Sequence, residues 1–146
     1  MKIRDEGEND WLHGLIVAKI YSIRAKIPLV TDKEFKKLVS DALKDLPTYF
    51  KKKMDNVEVV VEDWPSEEIA KGRLLLGLYQ GIPKPKRGIN YSMVLPDKIT
   101  IFKGPIEFLS RGNENSIKSL VVDTVKHEIA HHFGISDARL RELKAK

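Results

Sequence analysis

The sequence predicts an α+β domain, and three observations carry that expectation. Apolar residues recur at helical spacing over residues 32–46 and 116–133, residues 57–62 are rich in β-branched valine, and residues 98–102 alternate apolar with polar. The elements follow in order. Leu12, Leu15, Ile16, Ile20, Ile23 and Ile27 mark one face of a first helix over residues 10–26, ended by Pro28. Thr31 reads as the N-cap of a second helix, because Glu34 completes a capping box ahead of the stripe Phe35, Leu38, Val39, Ala42, Leu43 and Leu46. Pro47 closes it. The run Val57-Glu58-Val59-Val60-Val61-Glu62 reads as a largely buried strand stopped by Trp64-Pro65. Residues 74–88 begin apolar and then gather glycine and proline, which fits a short strand or turn followed by a loop. Leu95-Pro96-Asp97 turns into a half-buried strand over residues 98–102, suited to a sheet edge and ended by Gly104-Pro105. The last long helix starts at Asn115 or Ser116 and runs to Phe133. It carries Ile117, Leu120, Val121, Val125 and Ile129 inward, with Gly134 as its stop.

Composition narrows the function classes. A chain of 146 residues with 42% hydrophobic and 32% charged residues has the size and balance of one soluble domain, and no apolar run reaches the roughly 18 residues of a membrane span. The start MKIRDEGEND lacks the basic and apolar regions of a secretory signal, so the expected location is cytoplasmic. The absence of cysteine rules out disulfides and thiolate ligands, leaving imidazole and carboxylate to hold any metal. The net charge is +5, but Lys51-Lys52-Lys53 and Lys84-Pro85-Lys86-Arg87 are short clusters among many acids. They read as solvated surface rather than a nucleic-acid patch.

The chemistry sits near the end of the chain, in His127-Glu128-Ile129-Ala130-His131-His132-Phe133-Gly134-Ile135-Ser136-Asp137, an HExxHxxGxxD motif. His127 and His131, four apart on a helix, share a face and can offer ring nitrogens to one zinc ion (Zn2+). Glu128 stands beside them as a general base toward a water that the metal activates. Asp137 has two readings: a third ligand, brought back by a left-handed turn at Gly134, or the N-cap of a terminal helix beginning at Ala138. Glu142 is the competing downstream carboxylate. His132 is rotated by about 100° from His131 and away from the metal, to pack or to bind a glutamate or backbone group nearby. His13 reads as a surface histidine, and Tyr79 and Tyr91 as packing residues rather than oxyanion donors.

Together with LPDKITIFKGPIEFL and GLYQG upstream, HEIAHHFGISDARLREL resembles the minimal zincin-like metallopeptidase domains of bacteria. The resemblance spans residues 31–143. It implies a small mixed sheet packed on helices, the HExxH helix as cleft floor, and an edge strand above it, for which residues 99–102 are the candidate. Residues 1–30 then form a helical extension packed on a single domain over residues 31–146. By matching positions it makes His127, His131 and Asp137 the zinc ligands and Glu128 the base, acting on a peptide or protein substrate. The chain departs from the larger metzincins in having no methionine downstream of the motif.

Two other functions compete. The endoribonucleases that mature ribosomal RNA space their metal histidines similarly, but place histidine where this chain has Asp137 and glycine where it has Glu128. The third reading is a non-catalytic zinc-binding module that docks a partner.

Overall fold

In a computed structural model of the protein, residues 30–145 are described. The expected helix over residues 10–26 and His13 lie outside them. The chain runs α1 (Asp32–Lys44), α2 (Thr48–Lys53), β1 (Val57–Glu62), α3 (Glu67–Ala70), β2 (Gly77–Gln80), a 3-10 turn (Lys84–Lys86), β3 (Asp97–Phe102), α4 (Lys103–Ser110), α5 (Glu114–His132) and α6 (Asp137–Lys144). This is the α+β architecture that the pattern predicts.

α1 starts where the capping box requires. The Thr31 hydroxyl accepts from the Glu34 N–H at 3.2 Å while the Glu34 carboxylate accepts from the Thr31 N–H at 2.9 Å, satisfying two amides that helix geometry leaves unpaired. Its stripe buries Phe35, Val39 and Ala42. Two prolines read as stops turn out also to be starts. Pro47 ends α1 but is the N-cap of α2, and Pro105 lies in the first turn of α4. A proline's fixed φ and missing N–H cost little at a helix beginning, so neither α2 nor α4 is signalled by a rule that treats proline only as a breaker.

The sheet has the order β1-β3-β2, with β1 parallel and β2 antiparallel to β3. This reverses two expectations. β3, expected at an edge, is the central strand, with Ile99, Thr100, Ile101 and Phe102 all buried. β1, expected to be largely buried, is an edge strand whose four valines are only half-buried. Alternation misleads at β3 because Thr100, a polar residue, is packed inside. The other edge is β2, so the strand lying over the HExxH helix is Gly77–Gln80 rather than residues 99–102.

α5 packs against β2, β3, α1 and α4, and its buried Ile117, Val121, Val125 and Ile129 meet Phe35, Val39, Ile99, Ile101 and Ile106 in one core. Burying each such side chain contributes about 1.5–3 kcal/mol, which fixes the rotation of α5 and therefore the direction its polar face points. The Asn113 side chain caps its start, accepting from the Ser116 N–H at 3.0 Å. Among the described residues no helix is long and apolar enough to cross a membrane.

Candidate metal centre

With its apolar face fixed in the core, α5 turns His127 and His131 toward a partly open face. Their rings lie 4.7 Å apart between centroids. The helix then ends in a Schellman turn: the Gly134 N–H donates to the His131 carbonyl and the Ile135 N–H to the Ala130 carbonyl, each at 2.9 Å. Gly134 adopts a φ of +83°, and a Cβ there would also stand 2.9 Å from Cγ of Pro85. Glycine is therefore required both by conformation and by space.

The turn reverses the chain and delivers Asp137. Its Oδ1 lies 3.0 Å from Nε2 of His127 and 3.1 Å from Nε2 of His131. Asp137 does not cap α6, contrary to the capping alternative: Ser136 is the N-cap and accepts from the Arg139 N–H at 3.3 Å. Asp137 is the first residue of that helix, where the positive end of the peptide dipoles favours a carboxylate. Glu142 pairs with Arg139 at 2.8 Å and stands outside the cluster.

Candidate donor atoms of His127, His131 and Asp137 all lie within 4.8 Å of one another. Ligands around a tetrahedral zinc at about 2.0–2.1 Å are separated by about 3.3 Å, so the cluster is close to the size such an ion needs. The His131 tautomer also suits a metal: Nδ1–H donates to the Ile135 carbonyl at 2.9 Å, leaving the lone pair on Nε2 directed at the cluster.

Glu128, one position on from His127, points under β2 and is buried, only 6% exposed. Burial pushes its pKa up to about 7; the neighbouring His131 and the Tyr79 backbone N–H pull it down, and Asp137 adds to the rise. β2 approaches this closely because of Gly77, where a Cβ would come within 2.7 Å of Cγ2 of Thr124 and 2.9 Å of Cγ of Glu128. The role of Gly77 was not foreseen. An isolated glycine within a strand pattern is the signal that a close backbone approach leaves.

A second cluster lies behind the first. His132 turns away from the face that His127 and His131 share, and its partner is Asp97 rather than a glutamate or backbone group. Nδ1 lies 3.3 Å from Asp97 Oδ2, the ring is wholly buried, and Nε2 has no hydrogen-bond partner among the described residues. Asp97, read from the sequence only as a turn residue, also accepts from the Tyr79 hydroxyl at 2.5 Å, Arg87 Nη2 at 2.7 Å and the Ile82 N–H at 3.2 Å. Burial would raise its pKa, but these donors outweigh that and hold it below 3.8. Burial lowers the pKa of His132, favouring the neutral ring, against the opposing pull of Asp97. Arg87 is not the solvated cation its neighbours suggest, since its side chain is 7% exposed. The hydroxyl of Tyr79 is committed to Asp97, and that of Tyr91 accepts from Asn56 at 3.0 Å beneath the Arg87 guanidinium.

A mixed sheet with an antiparallel edge strand over an HExxH helix, in a small α+β domain, is the arrangement of a zincin-like domain. The profile of the zincin-like metallopeptidase family matches residues 54–146, and the chain belongs to that family. Members of the family generally bind zinc. Among curated proteins, none matches the chain.

Proposed function

We propose that the protein is a zinc-dependent peptidase in which His127, His131 and Asp137 hold the metal and Glu128 is the general base. The observation that carries this reading is the approach of one Asp137 oxygen to both imidazole Nε2 atoms, at 3.0 and 3.1 Å, across a turn that only glycine accommodates. Two neutral imidazoles and one carboxylate form the ligand type that a catalytic zinc takes. Bound there, the metal supplies Lewis acidity, lowering the pKa of a coordinated water toward about 7 and polarising the scissile carbonyl.

The chain's own groups do the rest. Glu128, buried beside His127, takes a proton from the attacking water and returns it to the leaving amine. Its burial beneath β2 keeps bulk water from competing for that proton. An extended substrate lies along β2, whose other side already pairs with β3. Family membership and the retained Glu128 favour this reading over the nuclease and the non-catalytic module. The test is a peptide-library digest with wild type, Glu128→Gln and His127→Ala. Glu128→Gln is expected to keep zinc and lose hydrolysis, and His127→Ala to lose zinc. Undiminished hydrolysis by pure Glu128→Gln protein would sink the assignment.

A further inference from the structure

The fold joins two lysine clusters that are separate in the sequence. α2 carries Lys51, Lys52 and Lys53, and the 3-10 turn carries Lys84 and Lys86. The Lys84 ammonium donates to the carbonyl of Lys53, fastening the turn to the end of α2. Both segments sit against the end of the HExxH helix. The ring of Phe50 in α2 meets that of Phe133 at 5.3 Å between centroids, and Pro85 of the turn lies at Gly134. The two segments that carry these five lysines thus flank the C-terminal end of α5, at Phe133 and Gly134 just beyond His131.

Their charges are not cancelled locally. None of the five takes part in an ion pair among the described residues, and those with assigned acceptors bond to uncharged oxygens: Lys51 to the Lys44 carbonyl at 2.7 Å, Lys53 to the Tyr49 hydroxyl at 2.7 Å, and Lys84 to Lys53. The nearby Asp55 faces Arg87, at 3.7 Å, and Arg87 is already matched by Asp97. A cluster of like charges beside an open site concentrates anions there and steers their approach.

We infer that this lysine rim recruits substrates through an acidic peptide segment that runs past Gly134, next to the proposed cleavage site. The inference rests on the peptidase reading for its location. A peptide is the occupant because the rim adjoins the proposed peptidase site; a nucleic acid is the competing outcome of the test, since Tyr49, with Lys53 4.3 Å over its ring, is still 61% exposed. Flexible ammonium groups are also suited to carboxylates arriving in varied geometry.

The test is fluorescence anisotropy on the Glu128→Gln protein, with zinc and again in EDTA, using labelled decapeptides of one length carrying four Glu, four Gln or four Lys, and a single-stranded RNA of the same net charge as the acidic peptide. The acidic peptide is expected to bind about tenfold more tightly than the Gln peptide at low salt, with the preference fading in 0.5 M NaCl. The preference is expected to vanish in Lys52→Glu/Lys86→Glu and persist in the control Lys33→Glu/Lys36→Glu, with circular dichroism verifying that both are folded. Equal binding of the Glu and Gln peptides, a preference untouched by Lys52→Glu/Lys86→Glu, or tighter binding of the RNA would overturn the inference. Acidic binding by a protein that takes no zinc and cleaves nothing leaves the rim standing while the peptidase reading falls. Cleavage by wild type without preference for acidic substrates does the reverse.

Discussion

His131 and His132 are neighbours in sequence, yet each belongs to a different aspartate. His131 shares the half-exposed Asp137 with His127, while His132 is wholly buried against Asp97 together with Arg87 and Tyr79. The two clusters contain similar groups and differ in what surrounds them. In the closed cluster the donors of three side chains and one amide satisfy a buried carboxylate, so its worth is structural. In the open cluster two imidazole nitrogens and a carboxylate oxygen crowd together at the surface, where an ion could replace their mutual contacts. A buried ionic network thus holds the edge strand β2 through Tyr79, while the other cluster stays open at the surface.

The largest effect that separates them is expected from Asp97→Ala. It strands the buried Arg87 and removes the acceptor of Tyr79, Ile82 and His132, so chemical denaturation should show a loss of about 3–5 kcal/mol. A loss below about 1 kcal/mol would mean that the closed cluster does not hold the fold. The same carboxylate sets an acid limit. Its folded pKa is depressed below 3.8, so its stabilisation is present above that value and is lost as pH falls through the folded pKa.

Glu128 acts with the opposite sign. Its folded pKa, about 7, lies above the ordinary 4.5, so the folded state holds the proton more tightly. In metal-free protein its contribution is complete below pH 4.5 and is lost as pH rises to about 7, a change of roughly 3 kcal/mol. Comparing wild type with Glu128→Gln across this range should reveal that slope in wild type alone, and parallel profiles would contradict it. Next in size, Gly77→Ala forces β2 away from Thr124 and Glu128, an overpacking cost of about 1–3 kcal/mol readable as a lowered denaturation midpoint. An unchanged midpoint would mean that β2 gives way freely.

The open cluster was legible in the sequence because its parts are local. His127 and His131 are one helical turn apart, Gly134 marks the stop, and Asp137 follows in the same short stretch, just as the Thr31 and Glu34 box announces α1. The closed cluster was not legible, because Asp97 reaches its side-chain partners over 10, 18 and 35 residues, distances no spacing rule spans. The exchanged burial of β1 and β3 has the same origin: which strand is central depends on pairing, not on the strand's own pattern.

The smallest expected effect on stability is also the most telling about the site. Asp137 is 63% exposed, so its place at the start of α6 and its imidazole contacts are worth little, and Asp137→Ala should alter metal-free stability by no more than about 1 kcal/mol. Zinc titration by calorimetry on wild type and Asp137→Ala then tests the central claim directly. Wild type is expected to take zinc stoichiometrically and the equally folded variant to bind it at least about tenfold more weakly. Folded wild type that refuses zinc, or a variant that holds it as tightly, would contradict the account.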